Sequence, residues 1–171
     1  MNKNKFMLLF VLCCVLPLAA AKLVLEMGWF NPGSASRGSW LEQEIFLLDD
    51  ISGQKKHWRI VMLADTACDQ RCQNAMHTVK QLYIGLGRKQ EQVQPVVVGT
   101  LNEPDAYPMF IQQKAATDNL GYLQQQILLV DQKGLVLLSY PMPSHQAEMA
   151  DTARNIRYDL LKLINYDRTS V

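Results

Sequence analysis

Hydrophobic positions follow two regimes along this chain. From Phe6 to Ala21 no residue is charged; Lys3 and Lys5 precede the run, and beyond Lys22 it resumes through Leu23, Val24 and Leu25 until Glu26. Taken to Leu25 the stretch is about 20 residues, enough to cross a hydrocarbon core. Lys22 near its far end can snorkel toward headgroups, and Trp29 and Phe30 follow at interfacial depth. Beyond residue 40 the apolar positions shorten into strand-length runs and helical periods. Glu44–Asp49 predicts a short strand, and Asp50–Lys56, with Ser52-Gly53, a turn. Trp58–Ala64 is apolar on both faces, as a central strand is. Asp69–Leu86 predicts a helix, because Cys72, Met76, Val79, Leu82 or Tyr83, and Leu86 recur at spacings of three and four. Pro95–Gly99 predicts a second buried strand, parallel to the first across that helix.

After a loop at Asn102–Pro108, Met109–Ala116 predicts a short helix. Gln126–Val130 and Leu135–Ser139 flank Asp131-Gln132-Lys133-Gly134, a hairpin signal with Gly134 supplying the unusual dihedral. Ser144 is placed to cap a last helix whose buried stripe is Ala153, Ile156, Leu160 and Leu163 or Ile164. The order β, β-α-β, α, β-β, α is that of an α/β thioredoxin-like fold, with a mixed central sheet and helices on both faces. The implied organisation is a membrane anchor or uncleaved signal over 1–27, a Gly-, Pro- and Ser-rich linker over 28–40, and a thioredoxin-like domain over 41–171.

Basic residues before the span favour a cytoplasmic N-terminus and an exported domain in an oxidising compartment, a bacterial periplasm reached across the inner membrane. The alternative is a signal peptide cleaved near Ala19-Ala20-Ala21. Leu12 before Cys13 is too bulky for the usual lipoprotein signal. The net charge of +1 and the dispersed lysines and arginines exclude a nucleic-acid binder. No phosphate-binding loop or Ser-His-Asp arrangement is legible, since Gly85-Leu86-Gly87 lacks the strand-then-helix context.

The chemistry lies in Asp65-Thr66-Ala67-Cys68-Asp69-Gln70-Arg71-Cys72, at the junction of the first core strand with its helix. Cys13 and Cys14 sit in the apolar segment and belong elsewhere. Cys68, near the helix start, gains from unpaired amides and the helix dipole; Arg71 acts in the same direction, while Asp65 and Asp69 oppose it. One helical turn apart, Cys68 and Cys72 can close a disulfide or, as two thiolates, bind one soft cation such as Cu(I). In catalysis Cys68 would attack and Cys72 resolve. A structural staple is the competing reading, although a bridge closing so short a loop constrains the unfolded chain little. Met76 continues the four-residue step but reads as core, and His57, His77 and His145 read as non-ligands.

These features resemble the Sco/SenC family: a Cys-x-x-x-Cys pair after a strand, the thioredoxin-like element order and an N-terminal anchor. Gly28-Trp29-Phe30-Asn31-Pro32-Gly33 and Arg37-Gly38 also look like the stem of small Sco-related proteobacterial proteins. The resemblance covers about residues 40–166 in outline. It implies a membrane-anchored assembly factor for the copper centre of cytochrome c oxidase, with oxidase subunits or other assembly factors as partners. Thiol–disulfide exchange or transient Cu(I) binding at Cys68 and Cys72 would be its chemistry, and copper its one candidate cofactor.

Three departures stand out. Asp69 replaces the proline that usually follows the first cysteine. Tyr122 falls near the position of the family's histidine copper ligand, and the loop lacks the proline that many thioredoxin-like oxidoreductases carry before the next strand. The alternative is therefore a non-catalytic tethered binding module with a structural disulfide. A peroxiredoxin-like peroxidase is a third reading, without the usual Thr/Pro-rich cysteine setting.

Overall fold

The computed structural model describes residues 3–27, 36–54, 58–64, 68–100, 104–117 and 120–167. The chain divides into two compact units, residues 1–35 and 36–171. The first contains α1 (Lys3–Glu26), with Pro17 inside it. Its window Leu9–Glu26 has a mean hydropathy of 2.2 and is, among the described residues, the one helix long and apolar enough to cross a membrane. Cys13 and Cys14 are exposed on it and unpaired.

The second unit is built on a six-stranded mixed sheet. Its strands are β1 (Ser39–Trp40), β2 (Trp58–Ala64), β3 (Val93–Gly99), β4 (Ile111–Gln113), β5 (Gln126–Val130) and β6 (Val136–Pro141), in the order β1-β6-β5-β2-β3-β4. β2 runs parallel to β3 and antiparallel to β5. It is thus central, and its first five residues are buried, as its two-sided apolar run requires. α2 (Gln70–Gly85) links β2 to β3, and α3 (Gln146–Asp167) closes the chain.

Both helices pack on one face of the sheet. Cys72, Met76, Val79 and Leu82 of α2 join Ile156, Leu160 and Ile164 of α3 over Ile60, Met62, Val97, Ile127 and Leu129. The opposite face buries Val61, Val96, Val98, Leu128 and Val130 under Leu47, Leu48 and Leu123. Among the described residues no α-helix covers that second face, so helices on both faces are not what forms. The reason lies at Met109–Ala116, where β4 replaces the expected helix. Ile111–Gln113 pair in parallel with Val96–Val98, and the Gln94 side chain donates to the Met109 carbonyl at 3.0 Å. These ladder partners lie far off in sequence and outweigh the local helical preference of Gln-Gln-Lys-Ala-Ala.

The segment expected as a strand at Glu44–Asp49 makes only a single bridge, Phe46 to Leu135. Backbone bonds from Leu47 to Gly134 and from Val136 to Ile45 nevertheless hold it along the hairpin. Gly134 has φ +93°, and a Cβ there would collide with the Leu48 carbonyl, so the turn requires glycine. The last helix starts at Gln146, and Ser144 contributes its backbone N–H to the Glu148 carboxylate at 2.8 Å.

Two buried charges fix the edges of this unit. Arg59, 1% exposed, donates to the backbone carbonyls of Asp49 (2.7 Å) and Asp131 (2.7 and 3.2 Å), joining β2 to two turns. Asp159 of α3, 3% exposed, accepts from the amides of Arg37 (2.8 and 3.1 Å) and Gly38 (2.9 Å) and from the Tyr140 hydroxyl (2.8 Å). This carboxylate seats the chain just before β1, and the folded unit accordingly begins at Ser36, inside the stretch read as linker.

Candidate functional site

The site forms where β2 gives way to α2. β2 ends at Ala64; residues 65–67, including Asp65, lie outside the described residues, as does His57. Asp69 is the N-cap of α2. It is extended (φ −74°, ψ −177°), its carbonyl accepts the Gln73 N–H at 3.0 Å, and its carboxylate accepts the Cys72 N–H at 2.9 Å. An aspartate in this role satisfies one of the orphan amides at a helix start, and its charge complements the dipole. The cap fixes the first turn, so Cys68 and Cys72 face each other with Cα atoms 5.2 Å apart, joined as a disulfide.

The two sulfur-bearing residues differ in access. Cys72 is buried in the helix-side core at 8% exposure, whereas Cys68 is half-buried and packs at its margin. A thiol arriving from solvent meets Cys68 before Cys72. Met76, one turn beyond Cys72, is buried among core side chains, as expected.

A second wall comes from the residue before β5. Gln125 has φ +59°, the one positive φ at a non-glycine among the described residues. Its carbonyl accepts the Met142 N–H at 3.0 Å, and its side-chain oxygen accepts from the Arg71 guanidinium at 3.1 Å. Arg71 lies between the two cysteines, so this clasp ties the dithiol turn to the β5 approach across 54 positions. Sequence reasoning did not find Gln125. The only signal was its place just before a strand start.

Tyr122 is exposed in a short 3-10 turn, Gly121–Leu123, and supplies no imidazole where the resemblance expects one. His77 and His145 are exposed and, unforeseen from sequence, line one groove of about 490 Å³ with Asn74, Tyr107 and Met149. Asn74 fixes one side of it by donating to the carbonyls of Pro143 and Ser144 at 3.3 Å. Among the described residues no group of three or more His, Cys, Asp or Glu is arranged to hold a metal. At the cysteine pair this leaves, among the described residues, no imidazole to join the two sulfurs around a Cu(II) ion. A two-coordinate Cu(I) would require the disulfide to be opened first.

Residues 58–164, which contain this strand, cysteine pair and helix, match a known family model, transmembrane-like, thioredoxin-like, C-terminal domain. The chain belongs to that thioredoxin-like family. No curated protein sequence matches it. Among solved structures, this thioredoxin-like protein is similar to apo Sco1 from Thermus thermophilus, at 16% identity and a TM-score of 0.49, covering 75% of this chain and 96% of that one. A SCO1/SenC family lipoprotein from Bacillus anthracis follows at 14% identity and 0.39, covering 68% and 95%. Copper-bound ScoI from Bradyrhizobium japonicum has 13% identity and 0.38, covering 69% and 98%. The fold assignment rests on the family model and the strand order, not on these structures.

Proposed function

We propose that this thioredoxin-like protein is anchored in the bacterial inner membrane by α1, with its N-terminus cytoplasmic and its domain in the periplasm. There it exchanges disulfides with cysteine pairs of partner proteins during assembly of cytochrome c oxidase. The observation that carries the reading is the Cys68–Cys72 disulfide at the β2–α2 junction, with one half-exposed and one buried member. In the oxidising direction a partner thiolate attacks the Cys68 sulfur. The S–S bond breaks, Cys72 leaves as a thiolate and takes a proton, and a mixed disulfide forms. The partner's second thiolate then displaces Cys68, so the partner loses two electrons and this chain gains them. The reducing direction is the reverse, with Cys68 as nucleophile.

Support for oxidase assembly and for the cellular location comes from the Sco/SenC resemblance and from Lys3 and Lys5 at the start of α1. Copper enters only as Cu(I) shared by the two thiolates of the reduced pair. The test is capture of partners. Cys72→Ser should accumulate mixed disulfides through Cys68 that reductant releases, and Cys68→Ser should not; equal or absent capture by both variants removes the exchange role.

A second reading, a tethered scaffold with a structural disulfide, is favoured by the burial of Cys72 in the core. It requires a reduction potential below about −300 mV, whereas a working pair lies above that value.

A further inference from the structure

We infer that Asp69 is a positioning residue that sets the redox poise of the Cys68–Cys72 pair, holding it toward the disulfide. The inference deepens the exchange reading and rests on it for its biological meaning, but its chemistry is a property of this chain alone.

A cysteine at a helix start ordinarily finds first-turn amides and the positive end of the dipole ready to stabilise its reduced, anionic form. Here part of that support is already taken up. The carboxylate of Asp69 takes the N–H of Cys72 at 2.9 Å, and it places a full negative charge on the residue adjacent to Cys68. The one cation in the turn, Arg71, is directed to the Gln125 side chain at 3.1 Å. Opening the disulfide adds two electrons and up to two protons. Any charge left on the Cys68 sulfur then meets Asp69 instead of a free helix end. The oxidised form carries no such charge and keeps the cap intact, so Asp69 favours it. Asp69 is exposed, so water and salt weaken the effect.

The experiment equilibrates the full-length protein in detergent with reduced and oxidised glutathione at fixed neutral pH, two glutathiones being oxidised for each disulfide opened. Asp69→Asn keeps an acceptor for the Cys72 N–H, because asparagine caps helices as well as aspartate, and removes only the charge. The equilibrium should move toward the dithiol by about threefold, the size of a helix-end charge effect. At 29.6 mV per tenfold for a two-electron couple, that is a potential about 14 mV higher. Asp69→Ala also frees the N–H and should shift the equilibrium at least as far. The Asp69→Asn difference should shrink in high salt. An unchanged equilibrium in Asp69→Asn, or a shift toward the disulfide, overturns the inference. The failures are separable: a shifted poise without partner capture removes the exchange role and leaves Asp69 as assigned, while normal capture with an unshifted poise removes only Asp69.

Discussion

The carboxylate of Asp159 gives the sharpest stability test. It is buried, and it accepts two backbone amides at the entry to the domain and the hydroxyl of Tyr140, itself 3% exposed. Asp159→Ala removes all of these acceptors at once. Hydrogen bonds to charged groups contribute about 1.5–3 kcal/mol each. The amides of Arg37 and Gly38 can return to water if the segment detaches, which offsets most of their loss. The Tyr140 hydroxyl, packed between β6 and α3, cannot do so without opening the core. A cost of about 3–5 kcal/mol follows, a large share of the 5–15 kcal/mol typical of a domain.

Urea unfolding of the full chain in detergent measures this cost, and hydrogen exchange at Arg37 and Gly38 locates it. Both amides should lose protection in Asp159→Ala while β2 and β3 keep theirs. Tyr140→Phe alone should cost less, because Asp159 retains its two amides. The double variant should show a coupling of about 1–3 kcal/mol between the two side chains. A cost under about 1 kcal/mol with the Arg37 and Gly38 amides still protected would refute the assignment of Asp159 as the anchor of the β1 edge.

Three further outcomes are expected. Burial first, then the hydrogen bond to Asp159 and its charge, push the Tyr140 phenol well above its ordinary range. The unfolded chain therefore ionises first, and the stability it contributes is complete below about pH 10 and falls above it by up to about 1.4 kcal/mol per pH unit; alkaline unfolding should lose that component in Tyr140→Phe. Arg59→Met should destabilise by about 1–3 kcal/mol in chemical unfolding, because methionine takes the guanidinium from the Asp49 and Asp131 carbonyls and, among the described residues, only the latter keeps another donor, the Gly134 N–H. Reducing the Cys68–Cys72 bridge should cost at most about 2 kcal/mol by the chain-entropy estimate for so short a loop, visible as a shift in the urea midpoint with and without reductant.

How much of this was legible in the chain depends on the range of the forces involved. α2 could be read because Cys72, Met76, Val79 and Leu82 repeat with the helical period, and all four are buried as the period requires. The hairpin could be read because Gly134 and the Asp131 side chain, which accepts the amides of Lys133 and Leu135, define the turn within five residues. The cysteine pair was legible for the same reason: strand, cap, helix and both sulfurs lie in one short stretch. β1 was not legible, since Ser39 and Trp40 become a strand through pairing with β6 and through an aspartate more than a hundred residues away. β4 was lost to its own Gln-Lys-Ala composition, because the ladder to Val96–Val98 is long-range. The Arg71–Gln125 clasp is the same case at the site itself: two ordinary polar residues acquire meaning only when β5 delivers a left-handed glutamine to the dithiol turn. Local sequence thus specifies which atoms can react here, while long-range packing decides which side chains surround them. That division is why the pair and the charge beside it could be read early, whereas the clasp that holds Arg71 depends on a contact that only the folded chain brings together.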